Sequence, residues 1–155
     1  MKYQYTYRTT AWELWQLSMY YTYGSMVGMC NIIFTAAVFA LLVAKWDSSS
    51  DFFKLLLILG CCLFPLIQPL MIYRKAQKQA AEIQQDTQIG FDESGVHIRL
   101  GEKNSDIPWS SIRRISKKPT MMVVFSDSVH GFVLTNRVLG KERKALYDYI
   151  SKRIH

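Results

Sequence analysis

Three histidines, three cysteines and one dense basic run are the residues from which this 155-residue chain could build chemistry. His97, His130 and His155 stand far apart, and no cysteine or acidic cluster joins them at metal-ligand spacing, which argues against zinc. Asp127-Ser128-Val129-His130 gathers the residue types of a hydrolytic triad. Asp and Ser also concentrate in turns, because their side chains hydrogen-bond nearby backbone, and this stretch reads as the turn of a hairpin. No glycine-rich phosphate loop is present. Cys30, Cys61 and Cys62 all lie inside apolar runs, where cysteine serves as a small apolar filler rather than part of a disulfide framework. The expectation is therefore a non-enzymatic chain with no catalytic, cofactor-binding or metal-binding residue.

The run Arg113, Arg114, Lys117 and Lys118 is the clearest charged feature. Near a bilayer it would contact anionic headgroups at about 1 kcal/mol per residue, and it would equally serve a protein partner or simply stay solvated. Nucleic acid is disfavoured, since the basic residues are not interleaved with exposed aromatics.

The elements that must carry these residues fall into two halves. From Glu13 to Lys45 there is no charged residue, a stretch longer than the ~20 residues that cross a bilayer. Its densest part, MVGMCNIIFTAAVFALLVA, places a first span at about residues 23–44. Residues 1–22 precede it: KYQYTYRTT alternates like a strand, able to add an edge to a sheet, and Trp12, Trp15, Tyr20 and Tyr21 suit an interfacial helix. A second span follows Lys54, at about residues 55–73, with Pro65 and Pro69 predicting a kink in its later half. The remaining chain is too short to bury two such segments in a soluble core. Only Lys45 to Lys54 joins the spans, so they form an antiparallel hairpin with both termini on one side. Lys2, Arg8, Arg74, Lys75 and Lys78 on that side, against Lys45 and Lys54 on the other, predict cytoplasmic termini of a cell-membrane protein. Gly24 and Gly28 make a GxxxG spacing, a weak signal for helix packing.

One pairing follows from counting. Asn31 lies fourteen residues before Lys45 and Gln68 fourteen after Lys54. At ~1.5 Å per residue both sit about 21 Å from the connecting loop. They are the most polar residues well inside the spans, and the expectation is an interhelical hydrogen bond between them.

Residues 74–86 read as a juxtamembrane helix, and residues 87–155 as a β-rich domain. Strand-like runs at Gln88–Phe91, Val96–Leu100, Ile112–Ser116, Thr120–Phe125 and Gly131–Leu134 alternate with turn residues, Gly101 to Asn104 among them, and a helix from about Gly140 to Arg153 closes the chain. The fold class is α+β: a two-helix transmembrane hairpin with a small antiparallel β-meander closed by a C-terminal helix. The runs GFDESGVHI and IPWSSIRRI, the following hairpin and the terminal helix resemble the C-terminal domain of the YcxB-like family of bacterial membrane proteins. That resemblance implies a reduced pleckstrin-homology-like cytoplasmic domain behind two transmembrane helices, and it brings no activity with it. The functional expectation is a membrane anchor for a basic domain that binds a protein partner or the anionic membrane surface. The alternative is an accessory or immunity-type protein acting through its helices on a transporter or a membrane-active toxin.

Overall fold

Alternating Tyr3, Tyr5 and Tyr7 form strand β1 (Tyr3–Tyr7) in the computed structural model, which describes residues 2–128 and 130–154, so that Val129 and His155 lie outside it. The chain divides into two units. One is Thr10–Glu82; the other joins Met1–Thr9 to Ile83–His155.

The first unit is helical. Helix α1 (Ala11–Tyr23) starts at a capping box: Thr10 Oγ1 accepts from the Glu13 amide at 3.3 Å, and Glu13 Oε2 accepts from the Thr10 amide at 2.9 Å. Gly24 and Ser25 break the helix before α2 (Met26–Ala44). The first span thus begins at Met26, three residues later than expected. Gly24 caps α1, and a Cβ at Gly28 would strike the backbone of Thr22 and Tyr23. The glycine spacing therefore serves a tight turn between α1 and α2. Helix α3 (Asp51–Cys62) begins on Ser50, whose hydroxyl oxygen accepts from the Phe53 amide at 3.3 Å. It passes through a π turn (Leu63–Ile67) into α4 (Gln68–Glu82). The span expected at 55–73 and the juxtamembrane helix expected to run on from it lie on one 32-residue helical path from Asp51 to Glu82. No Gly or Pro occurs after Pro69 to interrupt it.

The second unit holds two antiparallel sheets. One has the order β1-β2-β3-β4, with β2 (Thr87–Phe91), β3 (Gly95–Leu100) and β4 (Lys103–Pro108). The other is β5-β6-β7, with β5 (Arg114–Lys117), β6 (Met121–Phe125) and β7 (Gly131–Thr135). Strand β1 lies antiparallel to β2, Tyr5 opposite Ile89 and Tyr7 opposite Thr87. The turn between β3 and β4 is shorter than its composition suggests: Leu100 pairs with Lys103, leaving only Gly101 and Glu102, and Gly101 takes the left-handed φ of 59° that such a turn needs. The C-terminal helix is split. Gly140, at φ 52°, ends a short α5 (Asn136–Leu139), a 3₁₀ turn follows, and α6 (Arg143–Ser151) is the helix proper.

The core of this unit draws Ile89, Phe91 and Val96 from the first sheet, Met122, Val124 and Leu134 from the second, and Leu146 and Ile150 from α6. Each is below 1% exposed. Tyr5 joins the rim, its hydroxyl donating to Glu142 Oε2 at 2.7 Å just before α6. Burial, reinforced by the Glu142 carboxylate, pushes the phenol well above its ordinary value. Tyr5→Phe should cost about 1.5–3 kcal/mol, the worth of one hydrogen bond to a charged group, read by chemical denaturation of the full chain in detergent. A variant as stable as the parent would show that β1 is held by its ring and backbone alone.

Candidate functional site

The basic run wraps an edge strand instead of covering a face. Arg114 and Lys117 stand three apart on β5, so strand alternation sends them to opposite sides. Arg114 lies opposite Phe125 with its guanidinium 4.4 Å from that ring, and Lys117 Nζ lies 5.3 Å from the Tyr147 ring on α6. Both residues are exposed, and each rests its charged head over an aromatic ring. Arg113 is exposed in the segment before the strand, and Lys118 is half-buried after it. The turn that follows β5 is held by Arg143, whose guanidinium donates to the carbonyls of Lys118 and Pro119. No carboxylate among the described residues forms an ion pair with Arg113, Arg114 or Lys117.

Asn31 and Gln68 meet inside the helical unit. Asn31 Nδ2 donates to Gln68 Oε1 at 2.9 Å, and Asn31 is only 6% exposed. Gln68 opens α4 directly after the π turn, and the turn explains a second polar contact. The Gln68 amide bonds the Leu63 carbonyl, five residues back, in place of Phe64. Pro69, the next residue, has no N–H to offer. The Phe64 carbonyl thus loses both ordinary donors, and the Tyr23 hydroxyl donates to it at 2.8 Å. On the same side of the prolines, Trp15 Nε1 donates to the Pro69 carbonyl at 3.0 Å and its ring meets Tyr73 edge-on. Apolar helices satisfy proline-freed carbonyls with neighbouring side chains in this way.

A third cluster is absent from the sequence-based candidates. His97 lies between two carboxylates, Nδ1 2.6 Å from Asp106 Oδ1 and Nε2 2.8 Å from Asp92 Oδ2. Ser94 Oγ is 3.1 Å from the same Nε2 and donates to Asp92 Oδ1 at 2.6 Å. Hydrogen bonds that the ring donates to Asp106 and then to Asp92 raise its pKa above the ordinary 6.5. Hydrogen bonds from Ser94 and His97 hold Asp92 well below the usual carboxylate range. Ser94, His97 and Asp106 share the connectivity of a catalytic triad, but the Ser94 hydroxyl donates to Asp92 instead of to the ring, and Nε2 faces that same carboxylate. The cluster is a clamp that ties the β2–β3 turn to β4. Its signal is the two-residue turn at Gly101-Glu102, which sets His97 opposite Asp106. Of the Asp127–His130 stretch, Val129 lies outside the described residues; on either side of it Asp127 Oδ1 accepts from the His130 amide at 2.6 Å. Among the described residues no three His, Cys, Asp or Glu side chains group as metal ligands.

The family model described as YcxB-like protein matches residues 91–150, which takes in all of IPWSSIRRI and all of GFDESGVHI but its first residue, Gly90. No curated protein and no solved structure matches the chain.

Two predictions follow from these contacts. Asn31→Leu and Gln68→Leu should each lower stability in detergent by roughly 0.6–2 kcal/mol, and the double variant should lose less than the sum of the two. Additive losses would mean the amides act separately. For the clamp, the sign comes from both partners. A histidine raised on folding stabilises fully below its unfolded value and loses that contribution as pH climbs through the folded one. The depressed Asp92 contributes above its unfolded value of 3.8 and fades as acid drives pH through the folded one. The window of full effect therefore runs from above 3.8 to about 6.5, the ordinary values of the two groups. His97→Gln should flatten the fall in thermal midpoint on the alkaline side of that window; an unchanged slope there would remove the clamp from the pH response.

Proposed function

We propose that this chain, with its YcxB-like region at residues 91–150, is a non-enzymatic membrane protein that presents the edge of β5 to anionic headgroups. Two helical paths, Met26–Ala44 and Asp51–Glu82, are long and apolar enough to cross a membrane, and only 11% and 6% of their most apolar windows are buried. Met26 and Phe52 are 75% and 76% exposed. So much apolar surface calls for lipid or another protein around it. The short loop between the paths makes them a hairpin, and the basic residues at its open end favour cytoplasmic termini.

The observation that carries the surface contact is the uncompensated charge at β5. Among the described residues Arg113, Arg114 and Lys117 have no carboxylate partner, and Arg114 and Lys117 project to opposite sides of an edge strand, which suits contact made edge-on. Near an anionic leaflet each contributes about 1 kcal/mol, weakened by salt.

The full-length chain reconstituted in nanodiscs tests both parts. It should stay with the membrane fraction through alkaline carbonate; release into the supernatant ends the spanning reading. Amide exchange over residues 112–118 should slow in discs containing phosphatidylglycerol relative to neutral discs, recover at high salt, and lose its lipid dependence when Arg113, Arg114 and Lys117 are changed to Glu. Equal exchange in both lipids would remove the headgroup contact and leave a protein partner as the use of this edge.

A further inference from the structure

The helical unit contains a cavity of about 480 Å³. Tyr23, Asn31, Thr35, Ala36, Cys61 and Pro65 are among the residues that line it. The Asn31 amide nitrogen is turned to Gln68, and no donor among the described residues reaches Oδ1, although the residue is 94% buried (6% exposed). Thr35 has its hydrogen engaged on the Asn31 carbonyl at 2.8 Å, and Tyr23 has its own on the Phe64 carbonyl at 2.8 Å. Both hydroxyls therefore present lone pairs. Pro65 has no N–H, so the Cys61 carbonyl lacks its ordinary donor four residues on. Asn31 Oδ1 is thus an acceptor without a described donor beside an open and almost wholly apolar pocket.

We infer that this cavity binds an apolar alcohol, its hydroxyl donating to Asn31 Oδ1 and its hydrocarbon body lying along Ala36 and Pro65. A lipid acyl chain would fill the walls and leave Oδ1 unpaired. Water would satisfy Oδ1 but would leave the apolar lining without a partner. A neighbouring helix needs a long close-packing stripe rather than a concavity, and the volume lies in the range of small-molecule sites. The inference rests on the helices lying in a bilayer, from which such a ligand would enter.

The test uses the full-length chain in neutral nanodiscs, with backbone and side-chain amide shifts of Asn31 and Thr35 as the readout. Farnesol should produce saturable shifts. Its methyl ether, with the same body and no donor, should bind roughly tenfold more weakly. Ala36→Phe, which fills the cavity without touching the Asn31–Gln68 bond, should abolish the farnesol response. Equal binding of alcohol and ether would reduce the cavity to a hydrocarbon groove and overturn the inference. So would an absent response in the parent chain, or an unchanged one in Ala36→Phe. Displacement of farnesol by dioctanoylglycerol would assign the hydroxyl to a bilayer lipid, and resistance to displacement would assign it to a free alcohol; either supports the alcohol site. A chain that fails to enter nanodiscs reports on the spanning reading instead, before any ligand is added.

Discussion

Strand β1 finds its partner some eighty residues downstream, and that pairing governs the chain path. Thr10–Glu82 is inserted into the other unit, so the chain enters the helices after Thr9 and leaves them at Glu82. Tyr7 opposite Thr87, with Arg8 Nε 3.0 Å from Asp86 Oδ1 beyond it, holds the two flanks of the insertion side by side. The exposed Arg8–Asp86 pair adds little by itself. The ladder and the burial of Tyr5 and Tyr7 carry the closure. A helical segment whose two flanks are pinned together must return to where it started, which an antiparallel hairpin does. The same pairing covers one side of β2 that would otherwise be an open edge.

What could be read in the sequence depended on how local each signal is. The apolar runs are legible because length and absence of charge suffice. The common depth of Asn31 and Gln68 is countable because the loop between the spans is short. The alternation of Tyr3, Tyr5 and Tyr7 identifies a strand, since period two needs few residues. Strand β4 hides because Lys103-Asn104-Ser105-Asp106 has turn-like composition, and all four residues are exposed. With the strand hidden, the His97–Asp106 rung is hidden too. The split of the terminal helix turns on one backbone angle at Gly140, whose residue type fits a helix start as readily as a break. The π turn needs knowledge of which carbonyl each amide chooses, and periodicity does not carry that.

The basic run shows how a one-dimensional cluster can mislead about a surface. Four cations within six residues look like a patch, yet β geometry divides them. Ile115, between Arg114 and Lys117, packs against the core, so the strand cannot turn one whole side to a partner. What remains is a charged rim. A rim suits a weak, salt-sensitive contact with a planar charged surface better than an enclosed headgroup site, because nothing around it excludes water.

The proline pair reaches further than the loss of two amide hydrogens. Pro65 and Pro69 are four apart, so the helix would have two consecutive gaps in one row of hydrogen bonds. The π turn shifts the Gln68 amide back to Leu63 and concentrates the deficit on the Phe64 carbonyl, where Tyr23 meets it. That contact draws the start of the helical unit to the middle of its last helical path. Tyr23 Oη bonds Phe64 while Asn31, eight residues on, bonds Gln68 just past the turn. Two polar contacts thus flank one disturbed turn, and the cavity lies among the same residues. In lipid, an arrangement with this many polar atoms held away from water is costly unless each finds a partner. Structural need accounts for Tyr23, Gln68 and the Asn31 nitrogen. It does not account for a partner to Asn31 Oδ1, which the same amide brings with it and which no described side chain meets.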